Sequence, residues 1–70
     1  MTVVLKNTAY FPDIVLACYD MTGRKVFHAG VLKGQKEVRL DISDWVAGLY
    51  MAVVTSQGRI MGEKRFVVMR

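Results

Sequence analysis

Apolar and polar positions alternate along most of this chain. Val38, Leu40 and Ile42 alternate with Glu37, Arg39 and Asp41, a period of two that predicts a strand over 36–42 with one buried face and one wet face. Two other segments are apolar on both faces. Ile14, Leu16 and Cys18 stand against Val15, Ala17 and Tyr19, and Leu49, Met51 and Val53 against Tyr50, Ala52 and Val54. That pattern predicts strands over 14–20 and 48–56 that are central in a sheet or covered on both sides. The β-branched run at 2–6 is a further strand, as is 25–29, with Val26 inward and Lys25 outward. The last strand is expected over 60–69, bent or bulged at Gly62.

Turn residues separate these segments. Asn7, Thr8 and Ala9 end the first, and Pro12, which has no N–H to give a ladder, marks a strand start or an edge. In Asp20-Met21-Thr22-Gly23-Arg24, Gly23 suits a positive-φ position and Asp20 can cap the turn's amides. Residues 30–35 form a looser connection, and Ser56-Gln57-Gly58-Arg59 is a second hairpin turn. No stretch has a helical period. Six or seven short strands with regular turns predict an all-β fold, an immunoglobulin-like antiparallel β-sandwich, with an open barrel as the alternative.

One connection stands out. Ser43 and Asp44 break the alternation, Gly48 supplies a conformation or a close approach that a Cβ would hinder, and Tyr50 enters the next strand. An acidic turn residue, a small pair and then a tyrosine is the sequence form of a tyrosine corner, whose phenol bonds back to the preceding connection and pins two sheets together.

Composition narrows the reading. Seventy residues make one small domain, and a single cysteine forbids an internal disulfide. A chain of this size buries only about 60% of its unfolded surface. An apolar fraction of 53% is high for it, so part of that surface is expected to meet a partner: a second copy in a homodimer, another domain, or a receptor. The net charge of +4 and pI near 9.6 invite a nucleic-acid reading. The cations argue against it, because they are scattered, interrupted by acids and unaccompanied by an aromatic run. The first residues are too short for a membrane span or a leader, so no direct membrane insertion is expected.

No chemistry-bearing constellation emerges. His28 has no companions at ligand spacing, and Cys18 lies in an apolar strand, where a thiol is an inert hydrophobe. Asp41 and Asp44 read as a turn cap plus a solvated charge. The glycines never form a phosphate-binding loop ahead of a helix, and the five methionines are core fillers. No cofactor, metal or enzymatic activity is expected. The residues alone indicate a small β-sandwich that binds or is bound.

Three segments carry a resemblance. Val15-Leu16-Ala17-Cys18-Tyr19-Asp20-Met21-Thr22-Gly23-Arg24-Lys25-Val26 resembles the "v-x-l-y-D-x-x-G-r-x-v" hairpin of the C-terminal sorting domains of the type IX secretion system of Bacteroidota, found on gingipain-type proteins. The stretch from Leu40 to Val53 is similar to that family's "l-d-l-s-x-l-x-a-G-x-Y-x-v-x-v" element, and Gly58 to Arg70 to its closing "g-x-x-x-x-x-K-x-v-v" strand. The three occur in the family's order. The Tyr-Pro-Asn-Pro-like opening is absent, with Tyr10-Phe11-Pro12 a faint echo, and Trp45-Val46 stand where Leu-Pro is usual.

The resemblance implies a C-terminal module of a longer secreted protein, whose usual N-terminal start is either truncated here or lacking in this member. Such a module folds in the periplasm in transit and is recognised by the outer-membrane translocon. In cleaved members a sortase removes it, leaving the cargo on the outer-membrane surface or outside the cell. The domain is then the substrate and not the enzyme. Asp20, Gly23, Arg24, Asp44, Gly48 and Tyr50 become motif residues that form or support the recognised surface. Lys64 and Arg65, charges flanking the last apolar strand, become candidates for direct contact or gatekeepers against edge aggregation. The competing class is a structural or adhesive β-sandwich of a surface protein. It differs in that its loss would weaken adhesion and leave export intact.

Overall fold

The structure, a computed structural model, describes residues 1–69; Arg70, the last residue of the closing motif, lies outside the described residues. Six strands follow one another: β1 (Thr2–Val4), β2 (Ile14–Tyr19), β3 (Lys25–Val31), β4 (Glu37–Arg39), β5 (Gly48–Ser56) and β6 (Arg59–Val68). All pairings are antiparallel, in a two-stranded sheet β1-β4 and a four-stranded sheet of order β3-β2-β5-β6. This is the expected small β-sandwich. The two strands that are apolar on both faces, β2 and β5, are the two interior strands of the larger sheet. Of the two alternatives, a central place in the sheet is the one that holds, and the small sheet covers one face.

Two strands are shorter than their alternation suggests. β1 and β4 each keep three residues, although Leu5 N–H to Lys36 O (2.8 Å) and Leu40 N–H to Met1 O (2.7 Å) continue their pairing at either end. Leu40 also accepts from the Met1 amino group (3.0 Å), so it exchanges backbone bonds with Met1 in both directions, and Ile42 packs on the core beyond it. β3 runs two residues further than expected, to Val31, because Gly30 pairs with Val15 and Val31 with Ile14.

Leu16, Cys18 and Ala52 from the larger sheet meet Leu5, Val38 and Leu40 from the smaller layer, and these six form the core. A bulge in β3 explains an ambiguity in its sequence. Cys18 pairs with Phe27 but Tyr19 with Lys25, leaving Val26 as the extra residue. A bulge turns two successive side chains toward one side, and both Val26 and Phe27 pack on the core while His28 is exposed. A second bulge falls in β6, where Val54 pairs with Gly62 and Thr55 with Ile60, so that Met61 is the extra residue beside Gly62. The β5–β6 hairpin closes through Gln57 (φ 51°) and Gly58 (φ 80°), the double positive-φ geometry of a two-residue type I′ turn.

Candidate functional site

The β2–β3 turn is built around one carboxylate. Asp20 Oδ1 accepts from the Thr22 amide (3.0 Å), the Thr22 hydroxyl (2.7 Å) and the Arg24 amide (3.0 Å), and Arg24 Nε lies 3.3 Å from Oδ2. The backbone closes beneath it, with Gly23 N–H to Asp20 O and Asp20 N–H to Arg24 O, both 3.0 Å. Gly23, at φ 85°, takes a conformation that a side chain would strain. The Thr22 hydroxyl above all, then the Arg24 and Thr22 amides and the Arg24 charge, hold Asp20 below its ordinary pKa against a smaller opposing effect of desolvation. The ion pair adds little, because the Arg24 side chain is 79% exposed and screened by water.

The second element is the corner. Tyr50 is buried and its hydroxyl donates to Val46 O at 2.5 Å, the back-bond of a tyrosine corner. The turn before it closes with Trp45 N–H to Ile42 O at 3.0 Å. Its side-chain cap comes from Asp41, which accepts from the Ser43 amide (3.0 Å) and hydroxyl (2.7 Å). The Ser43 hydroxyl, then its amide, lower the Asp41 pKa. Asp44 is the solvated charge of the pair, exposed at the rim of the corner. Gly48 sits at φ 152° with open space where a Cβ would be. Backbone conformation is therefore its reason, and a close approach is not.

Aromatic contacts join this corner to the closing strand. The Tyr50 ring lies 4.9 Å from Trp45 and 5.8 Å from Phe66, and Trp45 lies 6.2 Å from Phe66, measured between centroids. Trp45 thus packs on the core with one large ring. Sequence reasoning passed over Trp45 and Phe66 as partners. No local pattern links a turn residue to the last strand, and the Tyr50–Phe66 register that joins them depends on which strands pair.

The hairpin turn and the corner lie side by side. Asp20, Met21, Arg24, Asp44, Gly48 and Tyr50 are among the residues lining one open groove of about 610 Å³. Met21 and Val46, on its two lips, are 75% and 78% exposed. Neither was singled out from sequence, though an apolar Met21 inside a polar turn was a usable signal. Gly23, Lys64 and Arg65 do not line the groove. Lys64 and Arg65 do not form a joint contact either. Lys64 pairs with Ala52 on the inner face, whereas Arg65 pairs with Met51 on the outer face. An inward-pointing lysine on an edge strand is a device against strand-to-strand aggregation.

Elsewhere little chemistry is available. Burial pushes the Cys18 thiol pKa up, which disfavours the reactive thiolate. Among the described residues, no three His, Cys, Asp or Glu side chains are placed to hold a metal ion.

Fold and groove together define a small β-sandwich module in which the β2–β3 turn and the tyrosine corner line one surface. The family model for the secretion system C-terminal sorting domain matches residues 2–69, and the chain belongs to this family of type IX sorting signals. The match extends to β1, beyond the segment from Ile14 onward that carried the motif resemblance. No curated protein and no solved structure matches the chain. The family is a sorting signal and not an enzyme, and type IX cargo is exported to the cell surface or the extracellular space.

The two capped turns yield a pH prediction. An unfolded aspartate titrates near about 3.9, and Asp20 and Asp41 are held lower in the folded chain. Their contribution to stability is therefore present above the unfolded value and is lost as pH falls through the lower folded values. In Asp20→Asn/Asp41→Asn the acid limb of stability against pH is expected to flatten in denaturant titrations. An acid limb unchanged in that double variant would place the titration on other groups.

Proposed function

We propose that this domain is the C-terminal module of a longer secreted protein and that the type IX translocon reads it at the groove between the Asp20–Arg24 turn and the Asp44–Tyr50 corner. The observation that carries this reading is convergence: two motifs far apart in sequence line one surface, while the bonds within each turn hold it rigid. In this reading Asp20, Gly23, Gly48 and Tyr50 shape the surface, and Met21, Arg24, Asp44 and Val46 present it. The domain folds in the periplasm, passes the outer membrane with its cargo, and is removed by a sortase in the manner of cleaved members. Arg65 and the outer part of the closing strand contribute a second contact, and Lys64 guards the edge.

A reporter carrying residues 1–70 at its C-terminus tests this in a strain with the secretion system. It is expected to reach the surface or the medium, and to stay in the periplasm when the translocon is deleted. Met21→Asp and Val46→Asp change two exposed side chains, so they are expected to leave thermal stability nearly unchanged while lowering export several-fold. Periplasmic retention in both strains would refute the sorting reading. Full export of a folded Met21→Asp/Val46→Asp double variant would move recognition away from the groove.

A further inference from the structure

Among the described residues, no second layer covers the outer face of the four-stranded sheet. Opposed residues in an antiparallel sheet share a face, so the pairings place two adjacent rows there. One row runs His28, Ala17, Val53, Glu63 and the next runs Lys25, Tyr19, Met51, Arg65. Tyr19, Met51 and Val53 are half-buried by their neighbours and belong neither to the core cluster nor to the side chains packed on it. Apolar side chains thus fill the middle of a face that the fold leaves open.

The order of residues along this face is self-complementary. On β6 the outward series is Ile60, Glu63, Arg65, Val67, apolar at both ends with an acid and a base between. A two-fold axis between two such sheets, perpendicular to the strands and midway between the two rows, reverses that series on itself. Glu63 then lies over the partner's Arg65 and Arg65 over the partner's Glu63, while Ile60 lies over the partner's Val67. On β2 the small Ala17 meets the partner's large Tyr19, and on β5 Val53 meets the partner's Met51. Small against large is the alternation that lets facing layers interdigitate. The mismatch is confined to the open β3 edge, where exposed His28 falls over the partner's Lys25.

The alternative two-fold, parallel to the strands, lays Lys25 over the partner's Arg65 and repels. The available area is also adequate. Four strands about 4.8 Å apart, with about 3.3 Å per residue, span roughly 20 by 20 Å. Two such faces cover roughly 800 Å² in total, the size of a weak, reversible interface.

We infer that this face is covered by a second copy of the chain, in a face-to-face dimer held by two reciprocal Glu63–Arg65 pairs around an apolar centre. This pairing covers Arg65, the second contact assigned above, and it is tested without the secretion system. Sedimentation equilibrium of the 70-residue chain between about 1 and 100 μM is expected to show a reversible dimer. Arg65→Glu sets like charges over each other twice and is expected to raise the dissociation constant at least about tenfold. Glu63→Arg/Arg65→Glu restores the opposite-sign pairs and is expected to recover dimerisation to within a few-fold of the parent. Lys64→Glu, on the opposite face, is expected to leave the dimer unchanged. All three side chains are exposed, and matching far-UV spectra and unfolding midpoints certify that each variant is folded. A chain monomeric at 100 μM overturns the inference. So does a dimer indifferent to Arg65→Glu, which is the result expected of an exchange of β6 between copies.

Discussion

Tyr50→Ala is expected to lower the stability of this domain by about 3–5 kcal/mol, the range for truncating a buried aromatic ring. The change deletes three things at once: the ring contact with Trp45, the ring contact with Phe66, and the hydrogen bond to Val46 O. A domain of 70 residues has a total stability of roughly 3.5–10 kcal/mol, at about 0.05–0.15 kcal/mol per residue. The variant is therefore expected to be largely unfolded at 37 °C, with loss of near-ultraviolet circular dichroism as the readout. Tyr50→Phe isolates the hydroxyl. It keeps the ring cluster and loses one net hydrogen bond, worth about 1 kcal/mol, or roughly 4–8 °C in the unfolding midpoint of a domain this small. The pair also separates shape from contact. If Tyr50 only builds the groove, a folded Tyr50→Phe exports normally at a temperature well below its midpoint. If the phenol is itself read, export falls although the fold is intact. A Tyr50→Ala chain as stable as the parent would contradict the corner's role in joining the closing strand to the rest of the sandwich.

Leu16→Ala is the second large effect, at about 2–5 kcal/mol. Leu16 is fully buried at the centre of the core, where it meets side chains from the small sheet. Its loss leaves a void between two layers that have few other contacts to hold them, so the small sheet is expected to lose amide-exchange protection first. Val15→Ala, one residue earlier, is the internal control. Val15 faces outward and is half-buried, so its truncation is expected to cost about 1 kcal/mol or less by the area it removes from cover. Equal destabilisation by the two changes, measured by denaturant midpoints, would mean that the outer face is as tightly packed as the core. In a dimer, the Val15→Ala cost is expected to grow with protein concentration, whereas the Leu16→Ala cost is not.

Both effects bear on export. A translocon that reads a folded surface loses its ligand when the sandwich opens, so Tyr50→Ala and Leu16→Ala are expected to block export whatever they contact. Met21→Asp and Val46→Asp lie at exposed positions and are the informative comparison. The difference between the two sets separates a requirement for folding from a requirement for the groove.

The strand content was legible because period two and turn chemistry are local. Residues such as Asp20, Gly23 and Gly58 dictate their turns through their own side chains or their own φ, and β2 and β5 declared themselves interior strands by being apolar on both faces. The tyrosine corner was legible for the same reason, since its hydrogen bond spans only four residues. Strand ends were less legible. Leu40 and Ile42 alternate like strand residues yet lie beyond β4, because alternation reports burial and does not report where a ladder ends. The reading of Asp41 and Asp44 as a turn cap plus a solvated charge was legible as well, since the cap reaches only two residues, to Ser43.

What the sequence by itself determined is the alphabet of this protein: its strands, its turns, its lack of a catalytic constellation, and three ordered motifs that mark a sorting domain. What only the tertiary structure decided is which of these meet. Strand order brings the hairpin beside the corner to make one groove. Register seats Phe66 against Tyr50, and sheet pairing sends Lys64 and Arg65 to opposite faces and leaves one apolar face open. The reason is physical. Turns and alternation are set within a few residues by backbone sterics and side-chain polarity, whereas register and layer order are set by long-range burial that no local window contains.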